Sequence, residues 1–173
     1  MQYIINKAAG KKVIFFPHGT YLVSKPLYIP PGTRFHGEVW SEISAVGTAF
    51  RDAKNPQPLI QVGNAGETGV AQFVDMLFTV AEILPGCTLV QVNMAGTKPG
   101  DVGFWNTHFR IGGARGSKVH TQCSDPATCK AARMCAHLTT ESSSYWENSW
   151  CWSADHDLDD DFAAFDRAEA CMT

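Results

Sequence analysis

The chain has no run of Lys or Arg longer than Lys11-Lys12, and its 14 basic residues are outnumbered by 17 acidic ones. With a net charge of -3 and a pI near 6.0 it offers no basic face to a phosphate backbone, so nucleic acid is not the expected partner. It also lacks a long apolar run. The most apolar stretch, Val70 to Leu84, is broken by Gln72, Asp75 and Glu82, which excludes a bilayer-spanning helix of about 20 apolar residues. The opening residues Met1 to Lys7 have neither the charged region nor the apolar stretch of a signal peptide, so no export signal is expected in this chain. Charged residues are scarce at 18% against 45% hydrophobic, which excludes disorder over most of the length. The six cysteines form no paired C-x-x-C pattern, and neither a metal nor a cofactor is expected.

Also missing are Asn-Gly and Asp-Gly turns flanked by alternating strands, the usual signal of hairpins. What is present is a succession of turn residues, such as Pro30-Pro31-Gly32, Gly63-Asn64, Pro85-Gly86 and Gly112-Gly113, at short intervals. Between them lie short runs rich in Val, Ile, Phe and Tyr: Val13 to Phe16, Tyr21 to Ser24, Pro58 to Val62, Gln72 to Val80, Thr88 to Met94 and Val102 to Ile111. This predicts an all-β fold. Strands with few hairpins favour a chain that coils in one direction, a parallel β-helix, over a sandwich or a barrel. The polar segment from Gly116 to Ala136 reads as a surface loop, with Cys123 and Cys129 close enough to bridge.

Two stretches carry residues suited to chemistry. In Val102 to Ile111, alternation places Trp105, Thr107, Phe109 and Ile111 on one side and Phe104, Asn106, His108 and Arg110 on the other. Asn106, His108 and Arg110 supply an amide, an imidazole and a guanidinium fork, a set that suits several sugar hydroxyls at once or a purely structural stripe. In Tyr145 to Asp159, strict alternation places Tyr145, Glu147, Ser149, Asp155, Asp157 and Asp159 on one face. Such carboxylates repel unless a partner offsets them, and the readings are a solvated acidic turn, substrate contact or a calcium site. Trp146, Asn148, Trp150 and Trp152 fall on the other face, for packing or for stacking on pyranose rings. His18, His36, His120 and His137 stand apart from any carboxylate or Cys pattern.

A family resemblance joins these features. FFPHGTY (15–21) followed by PLYIPPGTRFHGE (26–38) resembles the opening of pectate-lyase-like β-helices. NPQPLIQVGNAGETG (55–69), WNTHFRIGGARGS (105–117) and YWENSWCWSADHDLDD (145–160) are more selective. In order and spacing they resemble glycoside hydrolase family 55, the fungal exo-β-1,3-glucanases, from Ile5 to Asp160. That resemblance implies a right-handed parallel β-helix, the second of a tandem pair, in a secreted enzyme that cuts glucose from β-1,3-glucan with inversion. It divides the chain into a partial β-helix domain, 1–160, and a non-matching tail, 161–173. It implies a fragment, because the family's catalytic carboxylates lie in coils beyond the matched stretch, and no catalytic residue is carried over.

The local candidates are therefore Glu147 and Asp157 for catalysis, with Asn106, His108, Arg110, Tyr145, Trp150 and Asp155 for substrate binding. The expected partner is a β-1,3-glucan polysaccharide or oligosaccharide, and the expected state a monomer away from membranes. A non-catalytic glucan-binding module and another β-helix enzyme, such as a pectin lyase or rhamnogalacturonase, are the alternatives. A lyase acting on an acidic polysaccharide calls for basic clusters that this acidic chain lacks.

Overall fold

The computed structural model describes residues 1–39, 41–112, 117–122, 129–153 and 171–172. In chain order these form α1 (Gln2–Ala8), β1 (Val13–Phe16), β2 (Gly19–Val23), β3 (Leu27–Ile29), β4 (Thr33–Gly37) and β5 (Ser41–Ala45). A 3-10 turn (Thr48–Phe50) leads to β6 (Gln57–Val62), β7 (Ala71–Val74), β8 (Leu77–Val80), β9 (Cys87–Val92), β10 (Val102–Trp105) and β11 (His108–Ile111). Then follow α2 (Val119–Gln122), β12 (Lys130–Ala132), β13 (Met134–Leu138), β14 (Tyr145–Glu147), β15 (Cys151–Ser153) and β16 (Cys171–Met172).

Three sheets result, each taking strands that recur along the chain. The first has the order β1-β4-β7-β10-β14, the second β15-β11-β8-β5-β2 and the third β13-β9-β6-β3. Every pairing among the described strands is parallel.

The expectation of a right-handed, pectate-lyase-like β-helix is corrected by these pairings. Among the described residues they define an all-β arrangement of three parallel sheets of short strands and no closed barrel, with short helices added. Between β11 and β13 the chain forms α2 and β12, and β12 pairs with β16 in a separate two-stranded sheet outside the other three. Turn residues at short intervals report short strands, and they carry no information on handedness or on such excursions.

Two expected strands are each divided. Gln72 to Val80 is β7 and β8, separated by Asp75 at φ 56°, and Val102 to Ile111 is β10 and β11, separated by Asn106 at φ 49°. Asn148, at φ 48°, divides β14 from β15 in the same way. Asp and Asn adopt this left-handed conformation more readily than other residues bearing a Cβ. The three corners are linked along the stack: Asn148 Nδ2 donates to Asn106 Oδ1 at 2.6 Å, and Asn106 Nδ2 donates to Asp75 Oδ1 at 2.9 Å.

Each corner carries the chain from the first sheet to the second and changes the phase of alternation. On the first sheet Ile14, Phe35, Phe73, Phe104 and Trp146 occupy successive positions in register. Phe73 and Phe104 stack with ring centroids 4.7 Å apart, and Phe104 and Trp146 at 3.9 Å. The second sheet adds Ile43, Phe78 and Phe109, all buried. Phe104 is thus core and Trp105 faces outward, the reverse of the alternation expected for a single strand.

Helix α1 packs at one end of the third sheet with Ile5 fully buried. The Gln2 side chain accepts the Tyr28 N–H at 2.9 Å and donates to the Tyr28 carbonyl at 2.7 Å, and so completes the edge of β3. At the far end a Cys135–Cys151 disulfide, with Cα atoms 6.3 Å apart, ties β13 to β15. Cys129 is also disulfide-bonded, whereas Cys123, named above as its expected partner, lies outside the described residues. Cys87 is a free, buried thiol, and burial pushes its pKa up to about 12.

Candidate functional site: an aromatic groove at a sheet corner

A groove of about 440 Å³ opens along the corner between the first and second sheets. Val39 and Ser41 form one end, Asp75, Met76 and Leu77 the middle, and His108, Asn148, Trp150 and Trp152 the other end. The strands dictate this grouping. Thr20, Glu42, Leu77 and His108 share a register position across β2, β5, β8 and β11, and Thr79, Arg110 and Trp152 share the next outward one. The N–H of Phe109 donates to the carbonyl of Trp150 at 2.8 Å, which brings Trp150 beside His108.

The His108 ring lies 5.9 Å from Trp150 and 6.0 Å from Trp152, both edge-on, and the two indoles are 6.4 Å apart at 73°. Trp150 is 64% exposed, an unusual state for so large an apolar ring. The buried Nδ1 of His108 has no hydrogen-bond partner among the described residues. Asp75 is the hub of the polar side: its Oδ1 accepts from Asn106 and its Oδ2 lies 3.4 Å from Nε2 of His36. His36, read above as isolated, therefore has a carboxylate partner. The pairing crosses from β4 to the β7–β8 corner, a proximity that no local pattern announces.

Burial holds the His108 imidazole below its ordinary pKa of 6.5, with the Asp75 carboxylate pulling weakly the other way. The folded state thus favours the neutral ring. The stability this provides is complete above about pH 6.5 and is lost as the pH falls from there towards the lowered folded value. We expect thermal unfolding to shift to lower temperature between about pH 7 and pH 5, and a His108→Gln variant to shift less; equal shifts in both proteins would contradict this reading.

The expected site residues separate into three groups. His108 and Trp150 meet in the groove. Asn106 sits at the corner, committed to Asp75 and Asn148, and Arg110 is buried on β11 beside Trp152 in register. Tyr145 and Glu147 share the outer face of β14, where the Tyr145 hydroxyl donates to Glu147 Oε2 at 2.8 Å. That bond raises the Tyr145 pKa. Trp146 was expected on the same side as Trp150 and Trp152, but it turns into the core because the Asn148 corner resets the alternation. Asp155, Asp157 and Asp159 lie outside the described residues.

Inversion at a glycosidic centre needs two carboxyl groups about 6.5–9.5 Å apart, one of them a general acid of raised pKa. Among the described residues lining the groove, Asp75 is the one carboxylate. Away from it, Glu67 is held below the ordinary range by the Asn64 N–H and the Tyr28 hydroxyl. Glu82 is pushed up by burial, but the Gly47 N–H and Arg51 outweigh this and hold it low. Asp101 is lowered chiefly by the Thr97 hydroxyl. These shifts run opposite to those a general acid requires. The groove itself presents aromatic rings and hydrogen-bonding groups.

No protein-family model matches the chain. It is 37% identical to a probable glucan endo-1,3-beta-glucosidase of Arthroderma benhamiae, over 92% of this chain and 19% of that protein. It is 41% identical to a glucan 1,3-beta-glucosidase of Cochliobolus carbonum, over 92% of this chain and 21% of that protein. A non-secreted LysM effector of Penicillium expansum is 42% identical, over 90% of this chain and 12% of that protein. The chain is thus similar over most of its length to proteins named as β-1,3-glucan glucosidases, and spans about a fifth or less of the length of these relatives.

Proposed function

We propose that the chain is a glucan-holding part of a hydrolase acting on β-1,3-glucan, and that it binds the polysaccharide in the groove between Val39 and Trp152. The observation that carries this is the cluster of Trp150, Trp152 and His108 at the corner, two indoles, one of them largely exposed, beside an imidazole. Indole faces stack on the C–H faces of pyranose rings, and Asp75 and Asn148 lie within the same groove to meet ring hydroxyls. With Asp75 as the one carboxylate among the described residues lining the groove, the part assigned to the groove is holding the substrate. The exo-acting, inverting chemistry implied by family 55 calls for a second carboxyl group beyond the described lining of the groove. An oxidising, extracellular setting accords with the Cys135–Cys151 bridge.

Non-catalytic glucan binding by the whole protein is the second reading, favoured by the 42% identity to a protein named as an effector and not as a glucosidase. The test is calorimetric titration of the chain with laminari-oligosaccharides, with cello-oligosaccharides as comparison, alongside an assay for released glucose. Saturable binding of the β-1,3 series without glucose release is expected. Equal binding of both series would remove the substrate assignment, and glucose release by the isolated chain would overturn the division between holding and cutting.

A further inference from the structure

A second cavity, of about 370 Å³, lies on the outer side of the first sheet, between Tyr145 and the loop Gly96 to Gly100. This loop is built to keep its shape. The Asp101 carboxylate accepts the Thr97 N–H at 3.0 Å, the Thr97 hydroxyl at 2.6 Å and the Lys98 N–H at 3.1 Å. The Gly96 N–H donates to Ser143 Oγ at 2.9 Å, joining the loop to the segment that leads into β14. Beside the cavity the Trp105 ring lies across Gly103, where a Cβ atom would collide with it, and its centroid is 5.9 Å from that of Tyr145. The result is a preformed cavity, more apolar than polar in its lining, with Tyr145 as an aromatic wall and Ser143, Ser144 and Lys98 among the residues around it.

The cavity and the groove are contributed in part by one short stretch of chain. Tyr145 belongs to the cavity and Asn148 to the groove, three residues apart, a separation of roughly 10 Å in extended chain. Between them Trp146 points inward and Glu147 outward, so the surface linking the two is the exposed, hydroxyl-accepting Glu147 carboxylate at the corner. We infer that the Tyr145 cavity is a second sugar-binding station, and that one glucan chain passes from it over Glu147 into the groove. This rests on the groove reading proposed above. The corner also selects the ligand. Chains with β-1,4 linkages run straight, whereas β-1,3 linkages bend the chain, so a path over two faces of the stack favours the β-1,3 series over the β-1,4 series.

The test is the dependence of affinity on oligosaccharide length, measured for the wild-type chain and for Tyr145→Ala, Lys98→Ala and Trp150→Ala, with folding checked by circular dichroism. In the wild type, laminari-oligosaccharides long enough to reach both stations should bind roughly tenfold tighter than a disaccharide, the order of one added aromatic contact. Tyr145→Ala and Lys98→Ala should each reduce that advantage, and the β-1,4 series should show none. If the advantage persists in both variants while Trp150→Ala abolishes binding, the second station is refuted and the groove reading stands. If Trp150→Ala leaves binding of the disaccharide intact, the groove reading fails and the continuous path fails with it.

Discussion

Phe104→Ala is expected to lower the free energy of unfolding by about 3–5 kcal/mol, a large share of the roughly 5–15 kcal/mol that holds a domain folded. The ring is fully buried between two parallel neighbours, Phe73 at 4.7 Å and 6° and Trp146 at 3.9 Å and 10°. Its removal loses the burial of an aromatic side chain and leaves a cavity in the middle of the ladder. Both stacking contacts go as well, each worth about 0.5–1.5 kcal/mol beyond burial. The gap cannot close easily, because the backbone of β10 is held on both sides by parallel pairing to β7 and β14. Phe104→Leu keeps much of the volume and should cost markedly less. The check is guanidinium unfolding followed by circular dichroism; a loss below about 1 kcal/mol for Phe104→Ala would mean that the ladder is not the core.

The same ladder shows what could be read from the residues in order and what could not. Alternation between turn residues and β-branched runs located β1, β6 and β9 closely, and it placed Tyr145 and Glu147 on one face as found. It failed at Asp75, Asn106 and Asn148. These corners turn through a left-handed residue that is not glycine, with no proline beside it, so each strand pair read as one strand or one continuous alternation. One shift of phase there sends Phe104 and Trp146 inward and Trp105 outward. The strands β3, β4 and β5 passed unread because Leu27–Ile29 is short and Thr33–Gly37 and Ser41–Ala45 mix polar with apolar residues. The site suffered likewise. His108 and Trp150 were legible as candidates from residue type, but their meeting, and the contact of His36 with Asp75, depend on stacking of strands distant in sequence.

That the groove at this corner holds the glucan is tested most directly at Trp150. Its indole is 64% exposed and touches His108 and Trp152 edge-on, so truncation should leave stability within about 0.5 kcal/mol. As an aromatic anchor of the ligand it should contribute about 2 kcal/mol to binding, roughly thirtyfold in Kd. Trp146, four residues earlier on the same short stretch, is stacked in the core and should show the opposite signature, a loss of stability. The decisive measurement is the Kd for a laminari-oligosaccharide in the wild-type chain and in Trp150→Ala, each with its unfolding midpoint. The account predicts a Kd roughly thirtyfold higher in the variant at an unchanged midpoint. An unchanged Kd at an unchanged midpoint would show that the glucan binds somewhere other than this groove.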